Sequence, residues 1–296
     1  MSVAPIASQQ VSWQPVACAF CGGTATKFFD HEGWPWPTEY VRCVQCNLIF
    51  LQPRPKLDEV VLHHLYENAA PLVNEYANPQ QISVENIEPK HWRRYADSLA
   101  SIVAVHPTTG TLVDVGTGNG LLMILAKKQG WQAIGIDVSE SRARICRENF
   151  GLDVRTGTLE SVRLPEESAD AVAMRHVLEH VEDPIGLLLE GWRVLRPGGI
   201  LLVEVPNPEG IELAFRRWLQ RLKLRRPKWP DNVVPKHLFG FPPVCLARKV
   251  EELGFAVLRR CSYSHSDLHN PVALLALRAY HHFGIGTKTR LVLRKR

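Results

Sequence analysis

Three groups of residues in this chain have the types and spacing to do chemistry. The first is the run Asp114-Val115-Gly116-Thr117-Gly118-Asn119-Gly120, answered by Asp137, 21 positions after Gly116. Glycines in such a turn let the backbone approach a ligand that side chains would exclude. An acidic residue about 20 positions on, closing the next strand, can accept hydrogen bonds from two ribose hydroxyls. The pair points to a nucleoside-bearing ligand. The spacing is G-x-G-x-G with Leu121 following, whereas a dinucleotide fingerprint requires G-x-G-x-x-G. A single nucleoside therefore suits the loop better than NAD.

The second group is Cys18-x-x-Cys21 and Cys43-x-x-Cys46, separated by 21 residues. That spacing can gather four thiolates around one tetrahedral zinc. A redox pair is the competing reading, but two matched pairs in a chain expected to be intracellular favour the metal. Four protein ligands leave no open position, so the zinc is expected to be structural, replacing the core that about 50 residues cannot build. Cys146, Cys245 and Cys261 read as buried or incidental thiols.

Histidines form the third group. His176 and His180 flank Val177-Leu178-Glu179 after an apolar strand, and His237 sits in Val234-Pro235-Lys236-His237-Leu238-Phe239. A neutral imidazole, with an ordinary pKa of about 6.5, can take a proton near pH 7. His237 is the sharper candidate for a general base, with loop capping as the alternative. His176 and His180 compete with it for that role.

These residues need elements to position them. Apolar strands are expected at 111–115, 132–136, 154–156, 170–174 and 200–205, with helical stretches after the glycine turn, up to Phe150, and from Pro184 to Leu195. Arg196-Pro197-Gly198-Gly199 ends the last of these, and a further helix runs from Pro242 to Leu253. This alternation predicts an α/β, Rossmann-like, doubly wound and mostly parallel sheet covered on both faces. The expected division is a zinc ribbon at 1–55, a helical cap at 56–106 and a main domain at 107–296. Cap helices are expected at 57–68 and about 86–105, with Tyr66, Tyr76 and Trp92 as aromatic candidates to face a substrate.

A basic insertion occupies about 208–236. Between Phe215 and Trp229 it carries Arg216, Arg217, Arg221, Lys223, Arg225, Arg226 and Lys228 without an acid, interleaved with Trp218, Leu219, Leu222 and Leu224. A basic amphipathic helix can lie on an anionic membrane or clamp a phosphate-bearing acceptor. A lid with solvated charges is the plain alternative. The tail Arg290 to Arg296 adds basic residues to either reading.

With 296 residues, 45% hydrophobic and 22% charged, the composition is globular and excludes a disordered chain. A net charge of +5 does not by itself argue for nucleic acid. No basic start followed by an apolar stretch opens the sequence, and no run of about 18 apolar residues occurs. The expectation is a soluble, cytoplasmic protein, with attachment to the inner membrane face through 216–228 as the further option.

In order and wording, D-V-G-T-G-N-G, the acidic strand end at Asp137, V-L-E-H-V-E-D-P, L-R-P-G-G and V-P-N resemble the class I S-adenosylmethionine-dependent methyltransferases, over about residues 107–262. The nearest wording is that of the type 11 and type 23, ubiquinone-biosynthesis-like branch. The resemblance implies a seven-stranded sheet and S-adenosylmethionine as cofactor. Asp114, Gly116 and Gly118 would line its methionine end, Asp137 would hold the ribose and Val138 would flank the adenine. Many relatives place an acid after the glycine of the third-strand loop; here Gly157 is followed by Thr158, so Thr158 or a backbone group is left to meet the adenine amino group. A histidine at the position of His237 reaches into the acceptor pocket in relatives. In some quinone-pathway relatives carboxylates near L-E-H hold a divalent metal, which brings in Glu179 and His180.

The implied reaction is O-methylation of a small-molecule, sugar or lipid-linked glycan acceptor. An RNA-modifying enzyme that grips nucleic acid with its ribbon and insertion is one alternative, and a sugar C-methyltransferase is another. Arg175-His176-Val177 is unlike the N/D-P-P-Y wording with which amino-methylating nucleic-acid enzymes seat a planar base. The intact loop and its acid argue against a non-catalytic scaffold.

Overall fold

The computed structural model describes residues 11–28, 37–57, 89–222, 237–264 and 286–296. The cap helix expected at 57–68 falls outside them from position 58 onward, as do Tyr66, Tyr76 and residues 223–236.

Short strands carry the two cysteine knuckles. β1 (Trp13–Gln14) pairs with β5 (Arg54–Pro55), while β2 (Ala25–Lys27), β3 (Glu39–Cys43) and β4 (Ile49–Gln52) form an antiparallel meander. Each knuckle needs a left-handed residue to close. Gly22 supplies φ +69° in the first, where its N–H reaches the Cys18 carbonyl at 2.7 Å; Asn47 supplies φ +67° in the second, reaching the Cys43 carbonyl at 3.1 Å.

Helix α1 (Pro89–Val103) precedes β6 (Thr111–Val115), α2 (Leu121–Lys128), β7 (Gln132–Asp137), α3 (Glu140–Phe150), β8 (Asp153–Thr156), α4 (Leu159–Val162) and β9 (Ala169–Arg175). The chain continues through α5 (Pro184–Val194), β10 (Leu195–Pro206), α6 (Ile211–Arg221), β11 (Phe239–Gly240), α7 (Pro243–Glu252), β12 (Phe255–Tyr263) and β13 (Lys288–Lys295). Seven strands form one sheet in the order β12-β13-β10-β9-β6-β7-β8. β10, β9, β6, β7 and β8 run parallel, and β13 lies antiparallel between β10 and β12.

Both faces of this sheet are apolar, and the two-residue period sorts the side chains between them. Leu112, Ala171, Ala173, Ile200, Leu202 and Val292 face one way, against Leu99 and Ile102 of α1 and Leu122 and Ala126 of α2. Val113, Val172, Met174, Leu201, Val203 and Leu291 face the other, against Leu187 and Leu188 of α5 and Leu246 and Val250 of α7. Helix α1, from the segment expected to cap the cofactor site, thus packs on the sheet itself.

One expectation is corrected here. The residues read as a basic tail form β13, an inner strand: Arg290 is buried, and the Lys295 ammonium donates to the Leu195 carbonyl at 2.7 Å. Arg290 pairs with Glu204 and Lys295 with Glu167, so these two do not extend the basic insertion, while Arg294 and Arg296 stay exposed.

Candidate functional site

The first half of the site lies where β6 and β7 end. Gly116, Gly118 and Gly120 adopt φ of +70°, +56° and +73°, and Gly120 caps the start of α2. A Cβ on Gly118 would meet nothing nearer than the Gly116 carbonyl at 3.9 Å, so the space above the loop is open to a ligand. Asp137 is buried at the end of β7, with Oδ2 accepting from Gly118 N–H at 2.7 Å and Oδ1 from Ser139 N–H at 3.0 Å. The carboxylate is thus fixed against the glycine loop, and Val138 beside it is 44% exposed. Asp114 is buried in β6; burial outweighs the attraction of Arg175 and pushes its carboxyl up to about 7.

Thr158 is exposed and serves as N-cap of α4. Its hydroxyl accepts from Ser161 N–H at 3.2 Å, while its own N–H donates to the Ser161 hydroxyl at 2.9 Å. The pattern is local, and Thr158-x-x-Ser161 could have announced it.

The second half follows β9. His176 stands at φ +54°, and its Nδ1 lies 3.3 Å from Glu179 Oε1. Its buried Nε2 has no hydrogen-bond partner among the described residues, nor has Glu179 Oε2. Glu179 is fully buried. Burial alone would push its carboxyl up; the His176 hydrogen bond and the neighbouring His180 and His237 rings outweigh it and hold it below the usual carboxylate range. His180 and His237 meet edge to face at 4.8 Å between ring centroids. One ligand-type atom each from Glu179, His180 and His237 lies within 4.8 Å of the others. One carboxylate and two imidazoles are a donor set that fits the divalent cation implied by the resemblance, with Glu179 Oε1 4.0 Å from His180 Nε2. Of the three histidines named from the sequence, His237 and His180 thus come together directly, and His176 joins them through Glu179.

The two halves adjoin. A Cβ added to Gly116 would lie 2.3 Å from Val177 Cγ2, so the histidine-bearing loop packs directly on the glycine loop.

Beneath them lies a buried ionic cluster that the sequence reading did not identify. Glu204 accepts from Arg290 Nε at 2.5 Å, Ser98 Oγ at 2.8 Å and Arg175 Nε at 2.9 Å. Burial would raise its carboxyl, but the two guanidinium groups hold it down at about 2. A lone acid in Ile200-Leu201-Leu202-Val203-Glu204-Val205 was the available signal, since a charge in a buried strand needs a partner.

The four ribbon cysteines are not joined by disulfides and converge, with sulfur separations of 3.4 Å (Cys18–Cys46), 3.5 Å (Cys21–Cys43) and 3.7 Å (Cys18–Cys21). A tetrahedron with Zn–S bonds of about 2.3 Å has sulfur–sulfur edges of about 3.8 Å, so the set fits zinc. Burial pushes the Cys18 and Cys46 thiols up, whereas at Cys43 the Cys46 and Gln45 amides and the neighbouring thiols outweigh burial and bring it down to about 7.

A parallel sheet with one antiparallel strand, a glycine loop above the first strand of that sheet and an acid closing the next define a class I S-adenosylmethionine-dependent methyltransferase. The chain belongs to the type 23 methyltransferase-domain family, whose profile matches residues 85–260. The ubiquinone biosynthesis O-methyltransferase of Ruegeria sp. (strain TM1040) is 30% identical over 173 residues, covering 53% of this chain and 69% of that one. The demethylmenaquinone methyltransferase of Tropheryma whipplei (strain Twist) is 31% identical over 147 residues, covering 47% of this chain and 59% of that one. Among solved structures, a methyltransferase from Thermotoga maritima superposes with a TM-score of 0.51 at 23% identity, covering 70% of this chain and 91% of that one. Among the described residues no helix is long and apolar enough to cross a membrane.

Proposed function

We propose that the enzyme methylates an oxygen of a small organic acceptor, with the cofactor held by Asp114, Gly116, Gly118, Asp137 and Val138 and the acceptor's proton taken by His237. The observation that carries this reading is the packing of Val177 on Gly116, which sets the Glu179-His180-His237 cluster beside the cofactor loop. S-adenosylmethionine supplies an activated methyl group, so the protein's task is mainly alignment, which can contribute about 7 to 11 kcal/mol in favourable cases. Asp137 orients the ribose. His237 accepts the hydroxyl proton, and buried Glu179 stabilises the imidazolium that results. His176, already tied to Glu179, is the reserve base.

Relatives named for ubiquinone and demethylmenaquinone synthesis favour a phenol or quinone-type acceptor; sugars and lipid-linked glycans remain within the same chemistry. The test is to incubate the protein and methyl-labelled cofactor with cell-extract fractions and determine which atom acquires the label. Label on an oxygen of a small molecule upholds the reading. Label on carbon, or on RNA with salt-sensitive binding, replaces it with one of the two alternatives.

A second reading of the same cluster is favoured by its donor set, one carboxylate and two imidazoles with ligand atoms within 4.8 Å of one another. Glu179, His180 and His237 would hold a divalent cation, whose charge would make the acceptor hydroxyl more acidic. Metal analysis of a Cys18→Ser, Cys21→Ser, Cys43→Ser, Cys46→Ser variant separates this ion from ribbon zinc: a metal equivalent that disappears with Glu179→Gln supports it.

Helix α6 bears on where the acceptor is met. Ile211, Phe215, Trp218 and Leu222 are exposed and recur at helical spacing, with the Phe215 and Trp218 rings stacked at 5.7 Å. The stripe and the cations of 216–228 together suit an anionic bilayer surface, which would bring a lipophilic acceptor to the strand ends. Co-sedimentation with phosphatidylglycerol vesicles, and its absence with phosphatidylcholine, would support this contact; equal recovery in both pellets, or in neither, would remove it.

A further inference from the structure

The segment that presents His237 is held by the N-terminal ribbon. Tyr40 of β3 donates its phenol O–H to the His237 carbonyl at 2.7 Å, and Leu51 N–H donates to the Leu238 carbonyl at 3.0 Å. β11 then joins the ribbon meander as a fourth strand, with Phe239 opposite Phe50 and Gly240 opposite Ile49. From the other side, Leu238 N–H donates to the Glu179 carbonyl at 2.7 Å. The histidine segment is therefore clamped between the ribbon and the loop that carries its carboxylate partner.

The ribbon also grips that loop directly. Arg54 Nη1 donates to the Glu182 carbonyl at 3.0 Å, and Leu57 N–H to Glu182 Oε1 at 3.2 Å. Phe20, between the first two cysteines, packs on Phe241 with ring centroids 5.8 Å apart. These contacts reach the acceptor side of the site, whereas the glycine loop is ordered by Asp137 and Ile136 from within the main sheet.

We propose that the four-cysteine ribbon is the positioning element of the acceptor-side histidine and that Tyr40 is its positioning residue, so that metal binding at the cysteines sets the geometry at His237 while leaving the cofactor half intact. The proposal rests on the reading of His237 as the base only for its effect on turnover; the clamp stands on the backbone contacts alone.

Hydrogen–deuterium exchange of the full chain, read by mass spectrometry with S-adenosylhomocysteine bound, decides it. Three proteins are compared: the metal-replete parent, the parent dialysed against a strong chelator, and Tyr40→Phe. Chelation should speed exchange in the peptide covering 238–241 and leave 111–137 at parental protection, with cofactor affinity unchanged by calorimetry. Tyr40→Phe should do the same to a smaller degree and lower turnover about three- to tenfold at unchanged cofactor affinity, the loss of one positioning hydrogen bond. Parental protection of 238–241 after the cysteine segments have lost theirs would overturn the proposal. Parental protection in Tyr40→Phe alone would remove Tyr40 from it. Should His237→Ala retain full turnover, the base assignment falls, and faster exchange at 238–241 would still uphold the clamp.

Discussion

At the scale of single residues, the cofactor half makes the sharpest predictions. Asp137 accepts from both Gly118 and Ser139, so Asp137→Ala should lose a ribose acceptor and loosen the loop together. A charged hydrogen-bond acceptor is worth about 1.5 to 3 kcal/mol, which corresponds to roughly 10- to 150-fold weaker S-adenosylmethionine binding. Calorimetry showing parental affinity would refute the ribose assignment. Asp114 carries a second signature. Its carboxyl is pushed up to about 7 and is partly protonated near neutrality, whereas an unfolded aspartate is not. The folded state therefore holds the extra proton, and stability contributed by this group should rise as pH falls from about 7 towards 4. Chemical denaturation of the ligand-free parent at pH 7.5 and 5.5, set against Asp114→Asn, measures this contribution; the same difference in both proteins would exclude it.

At the scale of elements, what was legible in the sequence depended on how local the determinants are. The turn Gly116 to Gly120 and the strand ending at Asp137 announce themselves because the glycines and the acid act within their own segment. The helices ending at Phe150 and Val194 were legible for the same reason, from apolar spacing and the stop at Arg196-Pro197-Gly198-Gly199. β13 was not. Arg290-Leu291-Val292-Leu293-Arg294-Lys295-Arg296 reads as a basic tail until Arg290 finds Glu204, 86 positions earlier in the chain. β11 is two residues long and is a strand only because Ile49 and Phe50 pair with it. In the candidate site, His180 and His237 could be named singly, but nothing local says that their rings meet. For α6, its exposed stripe predicts that Phe215→Ser with Trp218→Ser abolishes pelleting with phosphatidylglycerol vesicles while leaving thermal unfolding unchanged; undiminished pelleting would exclude the helix as the contact.

Across the whole molecule, one buried cluster ties the sheet to the helix that covers it. Glu204 in β10 joins Arg175 in β9, Arg290 in β13 and Ser98 in α1. Removing one member of such a group leaves an unpaired buried charge, which typically costs about 3 to 5 kcal/mol. Glu204→Gln should lower the denaturation midpoint accordingly, and a change within about 0.5 kcal/mol would contradict the role given to the cluster. Its folded carboxyl lies at about 2, below the ordinary value of 4.5, so its contribution is fully present above about 4.5 and is lost as pH falls towards 2. Acid unfolding of the parent should therefore steepen below pH 4.5.

The proposed function divides labour between a cofactor half, ordered by Asp137, and an acceptor half, ordered by Glu179 and the ribbon. The most direct measurement takes His237→Ala and determines S-adenosylhomocysteine affinity and the initial rate of label transfer into an accepting extract fraction on the same preparation. Parental affinity is expected with a rate lower by about 10²- to 10⁴-fold, the usual range for a general base. A parental rate, or a rate loss matched by an equal loss of cofactor affinity, would contradict it.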